Sequence, residues 1–146
     1  MGAWKAFLVL LPIMAVLDLV YLGIIMKGFY DQEIGELARR EGAAMAPRIP
    51  AAFVVYLLIP AGIVLFVRPQ LAAEESLWRA LIWGGLYGLV LYGVYDFTNR
   101  AILEKWSLSL TLRDIAWGMT LCGISTALMH WLVPVEQTAL AVSSRT

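Results

Sequence analysis

Residues 4–26 read WKAFLVLLPIMAVLDLVYLGIIM, an apolar run in which only Lys5 and Asp18 carry charge. An α-helix of this length, at about 1.5 Å per residue, covers the roughly 30 Å of hydrocarbon in a bilayer. The hydrophobicity continues past Asp18 to Met26 without a small-residue cleavage site, which favours a retained span over a cleaved secretory signal. This run therefore predicts the first membrane-spanning helix.

Three further stretches, residues 50–67, 77–97 and 112–133, are also long and apolar enough to span a membrane. The composition agrees, because 61% of the residues are hydrophobic and 15% are charged, which leaves too little polar surface for a water-soluble globule. We predict an all-α integral membrane four-helix bundle formed by residues 1–134, followed by a polar C-terminal tail over residues 135–146.

The basic residues near the ends of the spans divide unevenly between the two sides. One side carries Lys27, Arg39, Arg40, Arg48, Arg100, Lys105 and Arg113, and the other carries Lys5, Arg68, Arg79 and Arg145. Cytoplasmic loops carry the excess of Lys and Arg. We therefore predict that the connections after the first and third spans are cytoplasmic and that both termini lie outside.

The first connection contains a short amphipathic pattern. Asp31 is placed to cap a helix over residues 32–41, in which Ile34, Leu37 and Ala38 share one face. We expect this helix to lie along the cytoplasmic membrane surface.

A weak internal repeat relates the first span to the third. Aligning Asp18 with Asp96 also aligns Lys27 with Lys105. Two helix hairpins related by an axis along the membrane normal would produce such a pattern. We keep this parallel repeat as a hypothesis.

Asp18 is the most informative polar residue, because an ionisable group inside a bilayer costs at least about 2.5 to 3.5 kcal/mol on insertion scales. Tyr21 shares its helix face. One interpretation is a binding carboxylate for a proton, a cation or a ligand hydroxyl. The alternative is a structural hydrogen bond between helices.

A second polar cluster ends the third span, where Tyr92, Asp96 and Asn99 share a helix face. An ion pair between Asp96 and Arg100 is the simpler explanation, but the cluster is denser than the end of a helix requires. We favour a ligand-binding site.

Asp114 follows Thr111 by three residues, which is the spacing of a capping box at a helix start. The predicted topology nevertheless places Asp114 level with Asp96. Together with Asp18 and Trp117, these carboxylates are expected to line one pocket on the cytoplasmic side, whereas the outer half of the bundle is almost wholly apolar.

Composition excludes several other chemistries. Eleven Lys and Arg balance eleven Asp and Glu, so we expect no nucleic-acid partner. The single Cys122 has no Cys partner, and His130 is the only histidine, so we predict neither a disulfide nor a metal site. No nucleophile motif or glycine-rich phosphate loop indicates a cofactor.

Small residues mark close helix packing. Gly84 and Gly88 are four residues apart, and Gly118 with Cys122 repeats the spacing. These faces would pack within one bundle or form a homodimer, and the sequence leaves both open. We expect membrane lipids as partners.

Residues 95–118 read YDFTNRAILEKWSLSLTLRDIAWG, and the first hairpin contains DLVYLG from Asp18 and KGFY from Lys27. These segments resemble the signature regions of domain-of-unknown-function family 2177, a family of bacterial membrane proteins. The resemblance implies a four-span protein of the bacterial inner membrane and carries no catalytic assignment. Its motifs fall on Asp18, Tyr95, Asp96, Thr98, Asn99, Asp114, Trp117 and Gly118.

Four functions remain open at this point. The leading hypothesis is a site near the cytoplasmic leaflet that binds a small molecule or a lipid head group. The second is a proton-coupled transporter acting as a homodimer. The third is an enzyme, or a subunit of one, that modifies membrane lipids, and the fourth is a purely structural role for the acids.

Overall fold

The computed structural model describes residues 2–42, 44–72 and 76–135. Four of its helices are long and apolar enough to cross a membrane, and they pack together as a bundle. The predicted all-α four-helix membrane fold is therefore confirmed. These helices are Gly2–Ile25, Ile49–Leu71, Leu77–Ile102 and Leu108–Leu132. Most of the predicted tail lies outside the described residues.

Two of the spans change their winding along their length. In chain order the elements are α1 (Gly2–Val20), a π-helical turn (Tyr21–Ile25), α2 (Lys27–Ile34), a 3-10 turn (Gly35–Leu37), β1 (Arg40–Glu41), β2 (Ala44–Met45), α3 (Ile49–Gly62), a π-helical turn (Ile63–Val67), a 3-10 turn (Arg68–Leu71), α4 (Leu77–Ile102) and α5 (Leu108–Leu132). Pro12 and Pro60 lie inside α1 and α3 without ending them.

The bundle has two distinct ends. We call the end that carries the connections 26–48 and 103–107 the loop end, and the end where α1 begins and α5 stops the terminal end. Trp4, Trp78 and Trp131 are strongly exposed at the terminal end, as aromatic residues at a membrane interface are.

Serine side chains begin α4 and α5. The Ser76 hydroxyl oxygen accepts a hydrogen bond from the amide N–H of Arg79 at 3.4 Å. The Ser107 hydroxyl oxygen accepts one from the amide N–H of Leu110 at 3.0 Å. Because α5 begins at Leu108, Thr111 is already inside the helix and donates to the Ser107 carbonyl oxygen. The predicted capping box of Thr111 and Asp114 is therefore wrong.

The short helix between the first two spans is present, but it begins earlier than predicted. It occupies Lys27–Ile34, so Asp31 lies inside it rather than capping it. Arg40 and Glu41, which were expected to end the helix, instead form β1, which pairs antiparallel with β2. Gly42 follows β1 with a φ of 63°, a left-handed conformation that favours glycine.

The α4 and α5 helices form the most extensive contact in the bundle, and glycines make it possible. A Cβ atom at Gly88 would collide with the carbonyl oxygen of Gly118, and one at Gly84 would collide with Cys122 and Thr126. These glycines are thus buried between two helices of one chain. A homodimer remains a prediction, but this face is already occupied.

The α3 helix leans away from α4 toward the loop end. Contact with α4 comes mainly from the segments that follow α3, Ile63–Val67 and Arg68–Leu71. Gly62 lies so close to Tyr87 that a Cβ atom there would overlap the phenol. Since α3 itself makes at most marginal contact with α4, the two helices leave a gap between them.

The two hairpins of the proposed internal repeat pack unequally. The helices α4 and α5 contact each other far more extensively than α1 and α3 do. Asp18 and Asp96, the residues aligned in the repeat, both lie in helices that run toward the loop end, as a parallel repeat requires. The duplication remains a hypothesis.

Candidate functional site

Asp18 joins three helices through its carboxylate. The Tyr56 hydroxyl donates to Oδ2 at 2.6 Å, and the Trp117 indole N–H donates to Oδ1 at 2.9 Å. These donors come from α3 and α5, whereas Asp18 lies in α1. Both oxygens of this partly buried carboxylate therefore have a donor, and such hydrogen bonds stabilise polar side chains between membrane helices.

Tyr21 covers the indole that binds Asp18. Its ring stacks on Trp117 with centroids 3.7 Å apart and planes 7° from parallel. Tyr21 begins the π-helical turn that ends the first span, and such turns change the direction in which side chains point. The predicted residues Asp18, Tyr21 and Trp117 thus form one contiguous group.

Asp114 accepts a hydrogen bond from outside the membrane-spanning helices. The Tyr30 hydroxyl in α2 donates to Asp114 Oδ1 at 2.5 Å. Burial of the phenol, followed by the hydrogen bond to Asp114 and its charge, raises the pKa of Tyr30 above the ordinary value of 10.0. Tyr30 therefore remains a hydrogen-bond donor at every physiological pH.

Asp96 is fully buried, and the Trp106 indole and the Asp114 carboxyl group face its oxygens. The side chain has 0% exposure and lies beside Asp114 and the indole of Trp106. Within the described parts of the chain, neither oxygen has a hydrogen-bond partner in close geometry. Arg100 donates to the Trp106 carbonyl oxygen at 2.8 Å, so the ion pair considered between Asp96 and Arg100 is not formed.

Two cavities lie against this polar region. The larger, about 360 Å³, occupies the gap between α3 and α4, and it is lined by Val55, Leu58, Ile59, Leu91, Tyr92, Tyr95 and Asp114. The smaller, about 160 Å³, has Asp18 and Tyr56 in its wall. Tyr92 lines both cavities, and its ring fits against α5 because Gly118 has no side chain.

The short helix α2 packs over the loop end of the site. Tyr30 and Trp106 are buried together with Leu110. The Arg113 guanidinium lies 4.4 Å from the centre of the Phe29 ring. Two further contacts hold this cover, since Ser107 donates to Glu33 and Lys105 pairs with Glu36.

The predicted site residues form two groups, one of Asp18 with Tyr21 and Trp117 and one of Asp96 with Asp114. Asp96 and Asp114 are adjacent, and Asp18 lies close enough to Asp114 to affect it electrostatically. Tyr92 lies between the cavities, but Asn99 lies beside Tyr95 and lines neither of them.

Sequence reasoning missed the partners of the acids. Three different segments provide these partners. Tyr30 donates to Asp114, Tyr56 donates to Asp18, and the Trp106 indole faces Asp96. Tyr56 sits in the second predicted span with no polar neighbour to mark it, and the other two resemble ordinary interface aromatics. No spacing rule connects them to acids that lie 10, 38 or 84 positions away in the chain.

A metal site would require several ligands in one place. Over residues 2–42, 44–72 and 76–135, no group of three His, Cys, Asp or Glu side chains is arranged to hold a metal ion. The site therefore consists of carboxylates, phenols and indoles surrounded by aliphatic side chains.

The family described as "Predicted membrane protein (DUF2177)" matches residues 3–131, which is nearly all of the chain. The chain belongs to this family. The resemblance seen in the sequence is confirmed, and the protein is a membrane protein with four candidate spans. No curated protein and no solved structure matches the chain. A DUF2177 protein thus places three carboxylates at the loop end of its bundle.

Proposed function

We propose that this protein binds a small molecule or a lipid head group in the acidic site at the loop end, and that the ligand enters from the bilayer between α3 and α4. The observation that carries the proposal is the cavity of about 360 Å³ between these helices, with Asp114 in its wall. Ligand sites are commonly apolar pockets of about 300 to 1,000 Å³ with a few polar groups.

The opening of the cavity faces the region that lipid occupies. The side chains of Leu58 and Tyr95, on opposite walls, are 64% and 55% exposed, and both belong to membrane-spanning helices. A ligand dissolved in the bilayer therefore reaches Asp114 without crossing the α2 cover.

The loop end is proposed to face the cytoplasm of a bacterial inner membrane. The support is the excess of Lys and Arg at that end, together with the rule that such loops are retained inside. With this orientation the ligand is drawn from the cytoplasmic leaflet.

The experiment fills the cavity with a larger side chain and measures which lipids and small molecules still co-purify with the protein. Leu91 lines the cavity, whereas its neighbour Val90 is 65% exposed and does not line it. Leu91→Trp and Val90→Trp add similar bulk to the same helix. Each protein is extracted in polymer-bounded native nanodiscs, and the co-purified lipids and small molecules are quantified by mass spectrometry.

We expect one species to be retained by the wild type and by Val90→Trp and to fall by about tenfold in Leu91→Trp, because the added indole occupies the space of the ligand. Circular dichroism confirms that both variants fold. Identical profiles for all three proteins, after normalisation to bulk lipid, would contradict the proposal.

A second candidate function, proton-coupled transport by a homodimer, gains support from the terminal half of α5. Ser125 and Thr126 are fully buried there, and His130 is 4% exposed, so this half is more polar inside than its sequence suggested. Its test is proton flux into liposomes containing a pH-sensitive dye. Transport predicts a flux above that of protein-free vesicles that Asp114→Asn abolishes.

A further inference from the structure

We infer that the ligand is a cationic amphiphile, an alkyl or acyl chain that ends in an ammonium group. This inference rests on the proposed function and names the chemical class of its ligand. It follows from the charges, donors and rings that the cavity presents, which are considered in turn.

The charge at the site is negative. Asp114 lines the cavity, and Asp96 lies directly beside Asp114, outside the cavity lining, with the Trp106 indole facing its carboxylate. The two neighbouring carboxyl groups carry negative charge, and no Lys or Arg side chain of the described residues lines the cavity to offset it, so the site favours a positively charged ligand. An ammonium group brings a positive charge and no acceptor, and a primary ammonium also brings three N–H donors.

The neighbouring basic side chains are already engaged elsewhere. Arg113 lies over the Phe29 ring, Arg100 donates to the Trp106 carbonyl oxygen, and Lys105 pairs with Glu36. None of them lines the cavity. A phosphate or carboxylate head group would therefore meet like charge without a compensating cation.

The walls suit the two parts of such a ligand. Tyr92 and Tyr95 contribute aromatic rings next to Asp114, and ring faces attract ammonium groups. Val55, Leu58 and Leu91 form the aliphatic remainder. The head group would lie by the acid, and the chain would lie along the aliphatic wall and continue into the bilayer.

A bare metal ion fits this site less well than an ammonium. Hard cations such as Ca²⁺ take six to eight oxygen ligands. In the described part of the chain, only Asp114 of the acids lines the larger cavity, and no three candidate ligands are grouped for a metal.

The test compares four probes that have the same ten-carbon chain and differ in the head group. Decylamine, decyltrimethylammonium, decanol and decanoate are added at equal membrane mole fraction to protein in phosphatidylcholine nanodiscs at neutral pH. The unfolding midpoint is followed against probe concentration, because a ligand that binds only the folded state raises it. The proteins compared are the wild type, Asp114→Asn and Leu91→Trp.

We expect the two cationic probes to raise the wild-type midpoint with an apparent affinity at least about tenfold above that of decanol, and decanoate to be weakest. Asp114→Asn should remove this preference, and Leu91→Trp should remove the binding of all probes. The midpoints of both variants without probe, together with circular dichroism, establish that they fold.

Equal binding of decylamine and decanol, both lost in Leu91→Trp, would overturn the ammonium inference and leave the proposed binding function intact. A preference for decanoate would overturn it as well. If no probe shifts the wild-type midpoint, the inference is wrong, and the retention experiment with Val90→Trp then decides the proposed function separately.

Discussion

The hydroxyl of Tyr30 donates to the Asp114 carboxylate across 2.5 Å, and this bond joins a short helix outside the membrane-spanning segments to an acid inside the bundle. Tyr30 is 6% exposed, so the bond is shielded from water. The α2 helix is thereby linked directly to the cavity wall. Changes at Asp114 should therefore be transmitted to the connection outside the membrane.

Replacing Tyr30 with Phe should change how stability depends on pH. Because the pKa of Tyr30 is raised in the folded state, its contribution is complete below the unfolded-state pKa of 10.0 and is lost as pH rises above it. The wild type should lose about 1.4 kcal/mol more than Tyr30→Phe for each pH unit above about 10. Unfolding free energies from about pH 8 to about pH 11 measure this, and parallel curves would refute it.

Asp18→Asn should destabilise the bundle whether or not ligand is present. An amide keeps one acceptor oxygen, so either Tyr56 or Trp117 loses its acceptor. We expect a loss of about 1 to 3 kcal/mol, measured as unfolding free energy in detergent with and without added lipid. Tyr56→Phe in the Asp18→Asn background should cost less than in the wild type. Additive losses would show that the bond is unimportant.

Asp96→Asn should behave in the opposite way. In the described chain no donor is in close hydrogen-bond geometry with the buried oxygens of Asp96, and a neutral amide is less costly to bury than a carboxylate. We expect the unliganded unfolding midpoint to be unchanged or higher. A fall as large as that of Asp18→Asn, measured in the same detergent, would mean that Asp96 has a structural partner.

Gly88→Ala and Gly93→Ala form a matched pair on α4. A methyl group at Gly88 would collide with the backbone of Gly118, whereas no atom lies within 4 Å of one at Gly93. Gly88→Ala should cost about 1 to 3 kcal/mol or prevent folding, and Gly93→Ala should be neutral. Thermal unfolding of both variants tests this, and equal effects would contradict the packing of α4 on α5.

The predicted orientation is open to a labelling test. Gln32 and Gln70 are exposed at opposite ends of the bundle, and the native Cys122 is buried. In a Cys122→Ser background, a membrane-impermeant maleimide added to intact cells should label Gln70→Cys and spare Gln32→Cys. The reverse pattern would place the loop end outside.

Two local contacts that sequence spacing suggested, one predicted and one kept only as an alternative, are absent because tertiary contacts overruled the spacing. Thr111 and Asp114 have the spacing of a capping box, yet Ser107 begins the helix and Asp114 binds Tyr30. Asp96 and Arg100 are four residues apart on one helix, yet Arg100 turns to the carbonyl oxygen of Trp106. Asp114 thus binds a residue far away in the sequence, and Arg100 binds a carbonyl oxygen beyond the end of its own helix.

The sequence by itself determined the four spans, the family and the positions of the intramembrane acids. It could do so because crossing a bilayer depends on the hydrophobicity of about 20 consecutive residues that satisfy their own backbone hydrogen bonds, a local property. The tertiary structure alone decided that Tyr56 and Trp117 bind Asp18, that Tyr30 binds Asp114, and that α3 separates from α4. Those outcomes depend on the rotation and tilt of each helix, which are set by side-chain packing between segments far apart in the chain.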